Sequence, residues 1–213
     1  MNSTISTTTL SPLRIGITGG IGSGKSYICH QLESAGHPIF YCDDVAKHII
    51  RTHSAVKQEL TQLVGKELYN ADGQLVKKVL AAFLCKGKSF SKQVDAIVHP
   101  RVAEAFLNYC KEHCFEDGNV PSISIPDDKC ISLQTLLTLP PSNVVFMECA
   151  LLFEAGFNSL VDLSLLVHVS GETQISRLMN RDHITREQAQ KWIDLQLSES
   201  EKMKRADAYL LNE

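Results

Sequence analysis

Five runs of apolar residues predict the strands of a single sheet. Apolar and other residues alternate across 13–18, and a second short run covers 38–42. The runs at 144–148 and 163–169 are continuously apolar, which is typical of strands buried on both faces of a parallel sheet. A last run, 205–212, predicts a final short strand.

Helical spacing of apolar residues occupies most of the chain between these runs. After the first strand, Ile28 and Leu32 fall on one helical face. From 52 to 114 the pattern is almost wholly helical, and Gly65 closes the first of its apolar stripes. Pro100 suits the first turn of a fresh helix, so we expect a helix break just before it.

Beyond the fourth predicted strand, a helix that starts at Ser170 places Arg177 and Arg181 one turn apart on one face. Thr185 and Gln188 have the spacing of a capping box, which opens another helix that carries Arg186. Arginines on a mobile flap would close on the phosphates of a nucleotide. The alternative is that these arginines form solvated surface ion pairs.

This order of elements predicts an α/β fold of the P-loop NTPase type. We expect a parallel five-stranded sheet flanked by helices, with a helical substrate-binding insert and a helical lid. Prolines and polar residues predict a surface loop between the insert and the third strand, with a short helix near 131–137. The predicted parts are a disordered tail at 1–12, a nucleotide-binding core at 13–51 and 143–213 with its lid at about 177–190, the insert at 52–115, and the surface loop at 116–142.

Composition narrows the class of protein. The formal net charge of −3 argues against a polycationic nucleic-acid binder. No apolar run approaches the roughly 20 residues of a membrane span, and residues 1–11 lack the features of a secretory signal. The seven cysteines are scattered, which favours a reducing cytoplasmic location. Cys110, His113 and Cys114 match no zinc spacing, so we interpret them as incidental groups on a helix surface.

The clearest chemical signal is the segment from Gly19 to Ser26, which fits the phosphate-binding pattern G-x-x-x-x-G-K-[ST] between a strand and a helix. Its glycines let backbone N–H groups approach phosphate oxygens, and the helix start adds partial positive charge. Lys25 would reach the β- and γ-phosphates, and the Ser26 hydroxyl would bind Mg²⁺. We therefore predict a site for a nucleotide triphosphate here.

Asp43 follows the second predicted strand, on the sheet edge where ligands of open α/β folds bind. One interpretation makes Asp43 a general base for a hydroxyl group, or a carboxylate near Mg²⁺. The other makes it only a helix N-cap. The residues alone leave both open.

Several motifs follow one another in a fixed order. They are I-G-I-T-G-G-I-G-S-G-K-S at 15–26, Cys42-Asp43 followed by 45–47, His99-Pro100 with Val102, L-L-F-E at 151–154, Arg181-Asp182 with Ala189, Ile193 and Gln196, and Ala206-Asp207 with Asn212. In this order the chain resembles the dephospho-CoA kinase family over nearly its whole length. The Walker pattern is shared by many NTPases, whereas the L-L-F-E and H-P motifs are much more specific.

The resemblance implies transfer of the ATP γ-phosphoryl group to the 3′-hydroxyl of dephospho-CoA, with Mg²⁺ as cofactor. It implies Asp43, Lys25 and Arg181 as catalytic residues, and Asp43, His99, Arg101 and Glu154 as substrate-binding residues. It also implies that the insert binds CoA. The implied ATP-binding residues are Gly19, Gly20, Ile21, Gly22, Ser23, Gly24, Lys25, Ser26, Tyr27 and Arg177. We expect no nucleic-acid or membrane partner, and a monomer or weak homo-oligomer.

Two positions depart from the family pattern. Tyr41 stands where the family usually has the first Asp of a D-A-D segment, and Trp192 stands where an Arg is usual. Trp192 would either stack on adenine or pack. A nucleoside monophosphate kinase is disfavoured because residues 52–98 contain no Arg, and a switch GTPase is disfavoured because no N-K-x-D motif is present.

Overall fold

The computed structural model describes residues 11–113 and 121–213. Most of the predicted tail, Cys114 and residues 116–120 of the predicted surface loop lie outside the described residues. The strands are β1 (Leu13–Thr18), β2 (Ile39–Tyr41), β3 (Val144–Glu148), β4 (Leu163–His168) and β5 (Ala208–Leu211). The α-helices are α1 (Lys25–Ser34), α2 (Cys42–Thr52), α3 (Ser54–Val64), α4 (Lys77–Leu84), α5 (Lys88–Glu112), α6 (Leu133–Leu137), α7 (Gly171–Asp182), α8 (Arg186–Asp194) and α9 (Glu199–Arg205). Short 3-10 helices cover Lys66–Leu68, Pro141–Asn143 and Phe157–Leu160.

The described residues form two compact units. One contains the residues up to Phe40 and from Asn108 onward, and the other is Tyr41–Leu107. The first unit carries the sheet, whose strand order is β2-β3-β1-β4-β5. The predicted parallel five-stranded sheet is therefore confirmed, with β1 at its centre.

The centre of the sheet is buried because β1 has apolar neighbours on both sides. Ile15 lies opposite Phe146 of β3, and Ile17 lies opposite Leu165 of β4. All four side chains are fully buried. The continuous apolar runs of β3 and β4 therefore do what their pattern predicts, since both faces of these strands are covered.

The second unit is helical, and its core is built on the apolar face of α3. Val56 and Leu60 are fully buried, as is Leu68 in the short helix that follows Gly65. Two long-range hydrogen bonds tie this unit together. The Tyr69 hydroxyl donates to the Ile50 carbonyl at 2.7 Å, and the Lys57 ammonium donates to the Gly73 carbonyl at 2.6 Å.

The predicted helix break at Pro100 is wrong, because α5 runs without interruption from Lys88 to Glu112. A proline inside a helix removes one backbone hydrogen bond and costs about 3 kcal/mol. The apolar stripe of α5 continues through that point at a spacing of four residues. Burial of this stripe stabilises the continuous helix; its members are Val94, Val98, Val102 and Phe106.

The described part of the predicted surface loop is partly core. It contains α6 as expected, but Ile131 and Leu136 are buried. The Ile131 N–H donates to the Tyr209 carbonyl at 2.9 Å, beside the bridge between Cys130 and Tyr209. The polar, proline-rich sequence of this segment gives no indication that it pairs with β5. Cys110 is also buried, so it is not the surface thiol that the sequence suggested.

None of the helices within 11–113 and 121–213 is long and apolar enough to cross a membrane.

Candidate active site

The predicted phosphate-binding loop connects β1 to α1, and its backbone requires glycine. Gly22 has φ +81° and Gly24 has φ +88°, in the left-handed region that L side chains rarely adopt. Gly24 occupies the N-cap position of α1, so Lys25 and Ser26 are the first two residues of the helix. The free N–H groups of this helix start and its partial positive charge therefore sit where the loop ends.

Beside this loop lies a cavity of about 730 Å³. It is lined by Ile21, Gly22, Gly24, Lys25, Ser26, Ala150, Arg177, Asn180, Arg181 and Gln196. The Lys25 ammonium donates to the Gly19 carbonyl at 2.9 Å, which holds it across the loop. The structure thus brings the predicted Lys25, Ser26, Arg177 and Arg181 together on one cavity.

The two cavity-lining arginines are held in different ways. Arg177 donates from its guanidinium to the Ser23 carbonyl at 3.4 Å. Arg181 forms an ion pair with Asp182 at 2.7 Å, and this hydrogen-bonded carboxylate raises the pKa of Arg181. The sequence grouped Arg186 with these two, but its guanidinium pairs with Glu172 instead and does not line the cavity.

Of the predicted ATP-binding residues, four do not line the cavity: Gly19, Gly20, Ser23 and Tyr27. Ser23 is 1% exposed, and its hydroxyl has no hydrogen-bond partner among the described residues. Tyr27 is 58% exposed. Trp192, at a position where the family has Arg, is 38% exposed and also does not line the cavity.

The loop is also bound by side chains that the sequence did not single out for this task. The Ile21 N–H donates to Oε1 of Gln196 at 2.8 Å, and Nε2 of Gln174 donates to the Ile21 carbonyl at 2.6 Å. Asn212, just after β5, donates to the Ser23 carbonyl at 2.8 Å. Partners this far apart along the chain leave no local sequence pattern.

Two buried charged residues were also missed. Glu148 is the last residue of β3, is 9% exposed and lies opposite Ile17 of β1. An acidic residue that ends a buried strand next to the first strand is the signal that would have found it. Lys202 of α9 is 1% exposed; burial lowers its pKa, while the nearby Glu199 and Glu154 oppose that shift. Nothing in the charged sequence of α9 marks Lys202 as buried.

Glu154, predicted to bind substrate, accepts a hydrogen bond from the Leu197 N–H at 3.3 Å. The carboxylate therefore holds the segment between α8 and α9. Glu154 is exposed.

The other predicted substrate-binding residues belong to the second unit. Asp43 is the second residue of α2, whose N-cap position is Tyr41 with no side-chain cap, so the N-cap interpretation of Asp43 is wrong. Its exposed carboxylate has no partner among the described residues. On α5, His99 lies 3.5 Å from Asp95, and Arg101 forms an ion pair with Glu59 at 3.3 Å.

Glycine at position 24 is required for contact as well as for conformation. A Cβ added there would lie 2.1 Å from Nδ2 of Asn212, at φ +88°. We expect Gly24→Ala to weaken ATP binding by at least roughly tenfold, because a side chain is strained at this φ and because Asn212 must move and lose its hydrogen bond to the Ser23 carbonyl, or the loop must shift. Titration with ATP in the absence of an acceptor measures the effect. The control is Gly156→Ala, also at positive φ (+73°) but with nothing within 4 Å, and equal losses in both variants would contradict this account.

The fold and site define a P-loop phosphotransferase: a glycine-rich loop follows the central strand of a parallel sheet, and a lysine, a serine and two arginines line the adjoining cavity. A sequence model of one such family, described as dephospho-CoA kinase, matches residues 13–126 and 123–213. The chain belongs to the dephospho-CoA kinase family, whose members phosphorylate dephospho-CoA in the final step of coenzyme A biosynthesis.

Individual relatives agree with this assignment. A dephospho-CoA kinase of Bacteroides fragilis is 33% identical over 201 residues, covering 94% of this chain and 85% of the relative. One from Listeria monocytogenes is 30% identical over 198 residues, covering 93% and 87%. The crystal structure of TT1252 from Thermus thermophilus matches with a TM-score of 0.71 and 29% identity, covering 96% of this chain and 90% of that one. A Campylobacter jejuni dephospho-CoA kinase has the same fold, with a TM-score of 0.60 at 20% identity over 93% of this chain and 87% of that one.

Proposed function

We propose that this enzyme transfers the γ-phosphoryl group of ATP to the 3′-hydroxyl of the dephospho-CoA ribose, with the triphosphate in the cavity of the first unit. The observation that carries the proposal is the joint lining of that cavity by Lys25, Ser26, Arg177 and Arg181. Two of these groups follow the loop that binds phosphate, and two approach from α7. The cationic side chains of Lys25, Arg177 and Arg181 around one cavity suit a ligand with several negative charges.

In this proposal Asp43 is the general base. Its carboxylate takes the proton of the acceptor hydroxyl as that oxygen forms its bond to the γ-phosphorus, and the bond to the β–γ bridging oxygen breaks to release ADP. Two observations support the role. Asp43 follows the end of β2 by two residues, and its carboxylate has no competing partner among the described residues.

Lys25 and Arg181 neutralise the charge that develops on the transferred group. Lys25 is a positioned ammonium at the helix start, and Arg181 is a guanidinium that Asp182 orients. Preorganised cations of this kind stabilise a phosphoryl-transfer transition state through charge neutralisation, with little covalent chemistry from the protein.

The residues present fit a magnesium ion bound together with ATP. Mg²⁺ prefers oxygen ligands and is usually held by one or two protein oxygens plus substrate phosphates. Ser26 supplies a hydroxyl at the cavity, and Glu148 supplies a carboxylate at the end of the neighbouring β3. Among the described residues, no cluster of three His, Cys, Asp or Glu is placed to hold a metal ion. When bound, the ion would neutralise phosphate charge.

We assign His99, Arg101 and Glu154 to the acceptor side, and propose that the helical insert at 52–115 binds the CoA moiety. The imidazole of His99 and the guanidinium of Arg101 are the polar groups that α5 offers near Pro100.

A cytoplasmic location is supported by the free thiols of the six described cysteines, because disulfides are rare in reducing compartments.

The deciding experiment measures ADP release from ATP and Mg²⁺ with and without 3′-dephospho-CoA, and follows the product by mass. We expect release that depends on the acceptor, and a product heavier by one phosphoryl group at the ribose 3′ position. The controls are adenosine and AMP as alternative acceptors. Phosphorylation of AMP in preference to dephospho-CoA, or of another position on the acceptor, would refute the proposed reaction.

A further inference from the structure

One residue of the phosphate-binding loop is held on both of its backbone polar groups. The N–H of Ile21 donates to Oε1 of Gln196 at 2.8 Å, and the carbonyl of Ile21 accepts from Nε2 of Gln174 at 2.6 Å. The two glutamines come from separate elements, since Gln174 lies on α7 and Gln196 lies after α8. We call this arrangement the glutamine clamp.

The polarity of the clamp is fixed by the backbone. A backbone N–H only donates and a carbonyl only accepts, so Gln196 must present its oxygen and Gln174 its NH₂ group. Gln174 is 8% exposed and packs closely on the loop, because a Cβ added to Gly20 would lie 2.5 Å from its Nε2. The clamp is therefore a close-packed contact at a buried side chain.

The side chain of Ile21 adds a third attachment. It packs against a buried cluster formed by Ile175, Leu178 and Ala189 of α7 and α8. The carbonyl of Ile21 is thus held by α7, which also carries Arg177 and Arg181, and its side chain packs on α7 and α8. Its N–H is held by Gln196, just after α8. The next residue, Gly22, lines the cavity and turns the chain at φ +81°.

We infer that Gln174 and Gln196 are positioning residues for phosphate transfer. By fixing both sides of Ile21 they orient the following peptides of the phosphate-binding loop, beginning with Gly22, which lines the cavity. They also hold the loop in register with the two arginines of α7. A loop that is ordered before ATP arrives loses less conformational freedom on binding, so the clamp increases ATP affinity without touching the acceptor.

The first test removes each polar group while keeping the length of the side chain. We expect Gln174→Met and Gln196→Met each to raise the KM for ATP about five- to tenfold, the effect of one lost hydrogen bond to a buried group. The KM for dephospho-CoA should stay close to that of the parent enzyme, and the thermal midpoint should fall by only about 2–4 °C. The matched control is Gln190→Met on α8, because among the residues that the structure describes Gln190 donates to Asp194 of its own helix alone. An unchanged KM for ATP in both variants would overturn the inference.

The second test uses the fixed polarity of the clamp. Gln196→Glu keeps an acceptor for the Ile21 N–H, so hydrogen exchange of the Ile21 amide should stay as slow as in the parent, whereas Gln196→Met should accelerate it. Gln174→Glu loses its donor and places a carboxylate against a carbonyl. We therefore expect it to shift the ¹⁵N resonance of Gly22, whose nitrogen shares a peptide with the Ile21 carbonyl, while Gln196→Glu leaves that resonance in place.

The inference would be overturned if Gln196→Glu shifted the Gly22 resonance and Gln174→Glu did not, or if Gln174→Glu produced no response at all. Both readouts are taken on the full-length protein without acceptor. A failure of the inference is therefore distinguishable from a failure of the proposed reaction, which is judged by the product formed from dephospho-CoA.

Discussion

Replacing Asp43 by Asn is expected to lower kcat by about 10²-fold or more, and to leave ATP binding nearly intact. Asn has almost the same shape but cannot accept the proton of the attacking hydroxyl. The Asp43 side chain is exposed, so the substitution should not disturb packing. Steady-state assays with dephospho-CoA give kcat, and ATP titration gives the affinity.

Asp44 provides a matched control for this variant. It is the next residue of α2, is also exposed, and forms an ion pair with Lys47 at 3.0 Å. Asp44→Asn should leave kcat within a factor of about two, because loss of a surface ion pair changes little. If Asp43→Asn keeps the kcat of the parent, Asp43 is not the base and the proton must leave by another group.

Replacing Lys25 by Met is expected to lower kcat by about 10³-fold. The substitution removes a preorganised positive charge that stabilises the transferred phosphoryl group in the transition state. Met keeps the length and the apolar stem of the side chain, so the change isolates the ammonium. ATP affinity should fall as well, because the same ammonium contacts the phosphates before transfer. Single-turnover assays at saturating ATP separate the two effects.

The control for this charge is Lys204→Met on α9. The Lys204 ammonium is exposed and pairs with Glu201 at 2.9 Å, outside the lining of the cavity. That variant should retain the kcat and the KM for ATP of the parent. Near-normal turnover in Lys25→Met would contradict the assignment of the loop at 19–26 as the triphosphate site.

The parts of the fold that the sequence predicted are those where a residue pattern has one physical solution. The runs at 144–148 and 163–169 were predicted to be strands covered on both faces, and they contain β3 and β4, of which β4 ends at His168. The glycines of the loop were expected to let its backbone approach phosphate oxygens, and the structure gives Gly22 and Gly24 the positive φ that suits glycine. Lys25 and Ser26 were predicted to lie where the loop meets the next helix, and they are the first two residues of α1.

The errors arose where tertiary packing outweighed a local preference. Pro100 is a local stop signal, but the buried stripe from Val94 to Phe106 carries α5 through it. The polar stretch before β3 looked like a solvated loop because its pairing partner, Tyr209, lies far along the chain. Gln174 and Gln196 were invisible as loop partners for the same reason, since both bind Ile21 from more than 150 residues away.

The central position of β1 has a consequence for synthesis on the ribosome. Ile15 pairs in register with Phe146 on one side and Leu163 on the other. The Ser23 carbonyl accepts its hydrogen bond from Asn212, which is synthesised near the end of the chain. At about 5–20 residues per second, translation reaches Phe146 on the order of ten seconds after Ile15. During that interval a nascent β1 exposes two unpaired edges. Unpaired strand edges and exposed apolar side chains make a chain prone to aggregation, so we expect the growing chain to be most vulnerable at this stage, before the neighbouring strands emerge.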